Sequence, residues 1–143
     1  MFLMTESGEV PVVVGVDGSR ESLAALDWAA RFAEGFGHDL KVVVAWHHPT
    51  PHVQGMVLSD LEAGANAIAR SSEERVRANH PSLNVEGVTA AGAPGNELVS
   101  ASQDATLLVV GTSRALGSVS SYCAHYAACP IVIVRTQEGA RAS

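Results

Sequence analysis

Between Val109 and Val134 the chain reads Val-Val-Gly-Thr-Ser-Arg-Ala-Leu-Gly-Ser-Val-Ser-Ser-Tyr-Cys-Ala-His-Tyr-Ala-Ala-Cys-Pro-Ile-Val-Ile-Val. An apolar strand runs into a turn bounded by Gly111 and Gly117, a helix opens on serines, and a second strand starts after Pro130. The first amides of a helix have no partner within it, so such a turn can hold an anion. Here the N–H groups of Val119, Ser120 and Ser121, the hydroxyls of Ser118 and Ser120, and the Arg114 guanidinium could accept one phosphate or carboxylate. The plainer alternative is that Gly117 and Ser118 only turn the chain and cap the helix, with Arg114 in solvent.

Other residues able to do chemistry are scattered. Asp17, after the first apolar run, could bond an adenine or a ribose, or simply close its own turn. No Gly-Lys-Ser or Gly-Lys-Thr occurs, which argues against a Walker-type hydrolase. Gly15-Val16-Asp17-Gly18-Ser19 lacks the Gly-x-Ser-x-Gly order of a nucleophile elbow, so Ser19 reads as a helix cap. His47, His48 and His52 lie in a proline-rich loop without a nearby Cys or carboxylate to complete a metal shell. On one helix Cys123 and His125 would stand about 200° apart, too far to share a metal. Trp28 and Trp46 read as packing between helix and sheet. No acid and base assemble into a catalytic set.

The elements that must position these groups follow from patterning. A chain of 143 residues with 47% hydrophobic and 17% charged residues suits one globular domain with a sizeable core. Its net charge of −6 and its lone lysine, Lys41, argue against nucleic acid and anionic membrane surfaces as partners. The first residues, Met-Phe-Leu-Met, lack a basic region and a long apolar stretch, so a cytoplasmic location is expected. Cys123 and Cys129 read as reduced and buried.

Val10 to Asp17 reads as a strand covered on both faces. A helix capped by Ser19 and ended by Gly35 and Gly37 follows. Leu40 to Trp46 is a second strand, and Ser59-Asp60-Leu61-Glu62 has the spacing of a capping box that opens a helix to about Asn79. Leu83 to Ala91 alternates like an outer strand, and Pro94 starts a helix to about Gln103. Thr106 to Val110 is the fourth strand, with the turn from Gly111 to Gly117, a helix from Ser118 to Ala127, and Ile131 to Val134 after it. Strands alternating with helices imply a parallel α/β sheet, with expected order 3-2-1-4-5 and helices on both faces. The order reverses between strands one and four, where the loops after Asp17 and after Gly111 open a crevice. Residues 1–9 and 136–143 are expected to be loose ends around a domain spanning 10–135.

Several segments, in order from Pro11 to Val134, resemble the universal stress protein family. They are Val14-Gly15-Val16-Asp17-Gly18-Ser19, Val44-Ala45-Trp46, Gly92-x-Pro94-x-x-x-Leu98, Asp104-Ala105-x-Leu107-Leu108-Val109-Val110-Gly111, Gly117-Ser118-Val119-Ser120 and Cys129-Pro130-Ile131-Val132-Ile133-Val134. The resemblance implies a flavodoxin-like sandwich, a homodimer through the last strand (Ile131, Val132, Ile133 and Val134), and in some members ATP binding. It assigns the adenine end to Gly15, Asp17 and Ala45, and the phosphates to the glycine loop. Family binders carry Gly-x-x-Gly, nine residues, then Gly-Ser or Gly-Thr. Here Gly111 and Gly117-Ser118 match, but Arg114 replaces the second glycine and only Ala115 and Leu116 precede Gly117. The missing seven residues would span roughly 23 to 25 Å of extended chain, most of what wraps a triphosphate.

The expectation is therefore a binding or regulatory protein with a shortened site. Its anion-binding set is Gly15, Asp17, Ser19, Ala45, Gly111, Arg114, Gly117, Ser118, Val119 and Ser120. AMP, a cyclic nucleotide or a small anion suits that site better than ATP. The alternative is a dimeric interaction module that acts through a protein partner, and an enzyme of the adenylyl-handling α/β relatives ranks below both.

Overall fold

In the computed structural model, residues 10–46, 55–113 and 116–136 are described. His47, His48, His52 and Arg114, and both expected tails apart from Thr136, lie outside them. β1 (Val12–Gly15), β2 (Leu40–Trp46), β3 (Val85–Ala91), β4 (Leu107–Thr112) and β5 (Ile131–Arg135) form one parallel sheet of order β3-β2-β1-β4-β5, as expected. Between them run α1 (Arg20–Phe36), α2 (Gly55–Asn79), α3 (Pro94–Ala101) and α4 (Ser118–Tyr126).

Successive side chains of a strand point to opposite faces, so a run such as Val12-Val13-Val14 feeds two cores at once. Val12, Val14, Val42, Val44 and Val109 pack with Ala25, Leu26, Ala29, Ala33, Ala69 and Val76 of α1 and α2. Val13, Val43, Leu108 and Val110 pack with Leu98 of α3 and Cys123 of α4. The alanine stripe of α1 lets that helix lie close on the sheet. Across the outer surface α1 and α2 are tied by Arg75, whose Nε and Nη2 each donate to Asp27 at 2.8 Å, and by His80 with Glu34 at 2.7 Å.

Local boundaries follow simple chemistry. Ser19 caps α1, its Oγ accepting the Ser22 N–H at 3.2 Å, and Gly37 ends it in the left-handed region at φ 78°. Gly35, expected to share in that stop, lies inside the helix. Pro94 sits at the first turn of α3. The expected start of α2 is corrected: the helix begins at Gly55, so Ser59 is an interior residue and its spacing to Glu62 is not a cap. Gly111 and Thr112, expected in a turn, belong to β4, and β5 runs one residue further, to Arg135. The Thr136 N–H continues that pairing to the Thr112 carbonyl at 3.0 Å. Of the two cysteines, both free, only Cys123 is buried, while Cys129 is half-buried.

Candidate functional site

The carboxyl ends of β1 and β4 diverge at the reversal of strand order, and a cleft of about 340 Å³ opens between them. Gly15, Val16 and Asp17 form one wall with Ser19, Glu21 and Ser22 of α1. Val110, Gly111, Thr112 and Ser113 form the other, with Gly117, Ser118, Val119 and Ser120 at the start of α4. Val43, Ala45, Pro94 and Leu98 complete the lining. Every expected site residue except Arg114 lies on this one cavity; Arg114 falls outside the described residues.

Two helix N-termini therefore face one space, and their chemistry differs. At α1 the polar groups satisfy one another. Asp17 Oδ1 accepts the Ser19 N–H at 3.0 Å, Ser22 Oγ accepts the Asp17 N–H at 3.2 Å, and the same hydroxyl donates to the Ser19 carbonyl at 3.0 Å. Gly18 supplies the positive φ of 87° that this turn needs. Partial burial works against the charged form of Asp17, but hydrogen bonds from Ser19, Ser22 and the backbone together outweigh it. They hold the carboxyl below the ordinary aspartate value. The result is an ionised acceptor, still exposed, at the mouth of the cleft.

The N-terminus of α4 is open by contrast. Its cap residue is Gly117, which has no side chain to bond the first amides. The helix opens with the Ser121 N–H donating to the Gly117 carbonyl at 3.0 Å, so the amides of Ser118, Val119 and Ser120 precede its first intrahelical bond, and all three residues line the cleft. Ser120 is only 2% exposed, and no hydrogen bond joins its hydroxyl to another described residue. Since no fully buried side-chain oxygen among the described residues lacks a partner, this hydroxyl opens onto the cavity it lines.

Two glycines hold the walls at their spacing. A Cβ on Gly111 would run into the Glu21 carbonyl, and one on Gly15 would stand 2.6 Å from Leu98 Cδ1. Close approach of α1 to β4 is therefore what Gly111 provides. Cys123, on the sheet-facing side of α4, has its thiol pushed up to about 11 by burial, a packing group without nucleophilic character at neutral pH.

Sequence reasoning missed Val16, Glu21, Ser22, Val43, Pro94, Leu98, Val110, Thr112 and Ser113. Apolar wall residues look like any core residue in one dimension. Glu21 looks like an ordinary first-turn acid. Ser22 could have been found, since it stands three residues after the cap and its amide is the one Ser19 holds. Among the described residues no group of three or more His, Cys, Asp or Glu side chains could hold a metal, and no helix is long and apolar enough to cross a membrane.

A doubly wound sandwich with a cleft at its switch point defines a flavodoxin-like domain. A model of the universal stress protein family matches residues 11–135. Universal stress protein Rv2623 of Mycobacterium tuberculosis is 33% identical over 144 residues, covering 89% of this chain and 48% of its own length. A universal stress protein solved in complex with cAMP is 29% identical with a TM-score of 0.71, covering 92% of this chain and all of that one. The universal stress protein of Archaeoglobus fulgidus solved with dAMP has the same TM-score of 0.71 at 20% identity, covering 87% of this chain and 97% of its own, and shows the shared fold. The chain belongs to the universal stress protein family. It spans about half the length of the mycobacterial relatives it matches.

Proposed function

We propose that this domain is a binding or regulatory protein that takes an adenine mononucleotide, AMP or a cyclic nucleotide, in the cleft between β1 and β4. The observation that carries the reading is the contrast between the two helix ends. Asp17 on the closed end accepts hydrogen bonds from a ribose or an adenine amine, while the uncapped amides of α4 and the Ser120 hydroxyl receive the phosphoryl group. A relative at 29% identity that was solved with cAMP supports the ligand class. ATP binds less well on this reading, because two residues stand between Arg114 and Gly117 where the family's binders have nine.

Thermal shift and calorimetry with AMP, cyclic AMP and ATP test it. AMP or cyclic AMP at millimolar concentration should raise the melting temperature, and Asp17→Ala should abolish the rise. No shift with any of the three would instead favour an interaction module that works through a protein partner.

The two edges of the sheet support a homodimer through β5. At the β3 edge Glu73 folds over from α2 and accepts the Gly87 N–H at 2.6 Å, and Glu86 is exposed beside it. Charge and an occupied amide protect that edge. The β5 edge carries Ile131, Val132, Ile133 and Val134, all half-buried in the single chain, and among the described residues pairs with β4 alone. Light scattering at micromolar concentration should give twice the monomer mass. Work in the cytoplasm suits this reading, since both thiols are free.

A further inference from the structure

Among the described residues two aromatic clusters reach the surface, and they face different ways. On α4, Tyr122 and Tyr126 have ring centroids 4.7 Å apart, and Tyr122 lies against Gly95 and donates to Asn96 Oδ1 at 3.4 Å. That pair turns toward α3. On α1, Trp28, Phe32 and Phe36 form a stripe with successive centroids 5.4 and 4.7 Å apart; the first two are half-buried and Phe36 is 70% exposed. Asp27 and Glu34, which reach Arg75 and His80, mark the α2 side of the helix. At about 100° per residue Phe32 stands roughly 140° round from Asp27, with the buried arc of Ala29, Ala33 and Ala30 between them. The stripe therefore overlooks β5, whose Val132 and Val134 pack against the same core as Trp28 and Phe32.

The β5 edge is small for the task given to it above. Its five residues span about 16 Å and a sheet layer is roughly 10 Å thick, so strand pairing alone covers on the order of 200 Å² per copy. A stable dimer buries roughly 800 Å² per partner, so most of the contact must come from surface beside the strand. We propose that the stripe of Trp28, Phe32 and Phe36 supplies a large part of it, docking a second copy of this chain alongside β5. The proposal rests on the β5 dimer and adds the helix layer to that interface. Antiparallel pairing of two β5 strands about a two-fold axis puts both α1 helices on one face of the joined sheet. Each α1 packs over β4, so the two axes stand about three strand spacings apart, roughly 14 Å. Direct helix packing needs about 8–10 Å, so large side chains must close the gap. Trp28 and Phe32 of one copy then meet Val132, Val134 and the aromatic stripe of the other.

Analytical ultracentrifugation of the full chain, from nanomolar to micromolar concentration, would compare the native protein with Phe32→Ala, Phe36→Ser and Tyr126→Ser. Phe36 is largely exposed, so its variant keeps the test open if Phe32→Ala does not fold. Phe32→Ala should raise the dimer dissociation constant roughly thirtyfold and Phe36→Ser roughly fivefold. Tyr126, 61% exposed but paired with Tyr122 on the α3 side, serves as the control, and its variant should stay within about twofold. A second measurement uses Trp46→Phe, which leaves Trp28 as the only tryptophan. Its emission should move to the red as dilution splits the dimer. Native affinity in both stripe variants, equal weakening in Tyr126→Ser, or an unmoved Trp28 emission while the mass halves overturns the stripe and leaves the β5 dimer standing. A native chain that stays monomeric at micromolar concentration overturns both, and leaves the stripe to a partner of another sequence.

Discussion

Gly111 and Gly117 bracket the same turn, yet the structure gives them different work, and alanine at each should show it. The backbone at Gly111 is not in the left-handed region, so alanine costs nothing in conformation there. Space is the obstacle. Its Cβ would enter the Glu21 carbonyl and stand 3.1 Å from the Ser22 nitrogen, and both obstacles are backbone, so no rotamer change relieves them. Either β4 or the first turn of α1 must move, and the latter carries the Ser19 and Ser22 hydrogen bonds. Overpacking of this kind costs about 1–3 kcal/mol, and a backbone obstacle belongs at the upper end. The smaller entropy of an unfolded alanine chain returns about 0.4–1 kcal/mol. A net loss of about 2 kcal/mol remains, which in a chain of this size lowers the melting temperature by roughly 6 °C.

At Gly117 a Cβ would meet no heavy atom within 4 Å, and the backbone is extended at φ −87° and ψ −178°. Alanine there gains the same unfolded-state entropy and loses the preference of helix caps for glycine over alanine, about 0.5 kcal/mol. These offset, so the melting temperature should stay within about 2 °C of the native value. Thermal denaturation followed by far-ultraviolet circular dichroism reads both variants. A Gly111→Ala protein as stable as the native chain, or a Gly117→Ala protein that falls as far, would refute the assignment of a steric role to the first glycine and an open one to the second.

Other outcomes follow from single contacts. Ser19→Ala removes the cap of α1 and should cost about 1 kcal/mol in urea denaturation, with Ser19→Gly costing a few tenths. Because the folded state holds the Asp17 carboxyl below its unfolded value, its contribution is present above the unfolded value near 3.8 and is lost as pH falls through the folded one; Asp17→Asn should lower the stability difference between pH 5 and pH 2.5. Alkylation of the folded protein should label Cys129 well before Cys123, whose thiol is buried and raised to about 11, and urea should remove the difference. A double-mutant cycle on Asp27 and Arg75 should give no more than about 1 kcal/mol despite two 2.8 Å bonds, since both side chains are two-fifths exposed.

The scaffold was legible where one dominant force acts along the chain. Continuous valine runs mark strands buried on both faces, and Ser19, Gly37 and Pro94 mark helix ends by local chemistry that needs no partner. Legibility failed where a second segment decides. Gly111 looks like the start of a turn because glycine usually is one, whereas here it stays in β4 to admit the backbone of α1. Ser59 and Glu62 have the spacing of a cap, but spacing alone does not show that the helix has already begun at Gly55. Most of the candidate site was readable for a related reason: strand ends and helix starts are adjacent in sequence. Leu98 and Val43 reach the cleft only through packing across the sheet, and a wall made of core residues carries no mark of its own.

On the proposed reading, the same separation explains how a β4–α4 turn shorter than the family's glycine loop coexists with an intact family fold. Register between β1 and β4 is set by Val12, Val13 and Val14 against Leu107, Leu108 and Val109, all buried, and by the packing of α1 above them. None of these residues belongs to the turn that follows β4. Loop length enters stability only logarithmically, so removing several residues from an outer turn changes the free energy of folding by a fraction of a kcal/mol. Binding has no such tolerance, because each amide of α4 must meet an oxygen at about 3 Å. Family membership thus determines the sandwich and the position of its cleft, while on the proposed reading the length of the β4–α4 turn and the open cap at Gly117 decide what the cleft can hold. Lengthening the turn to family size should therefore tighten ATP relative to AMP in calorimetry while leaving the melting temperature within a few degrees, and a large loss of stability would refute the separation of reach from fold.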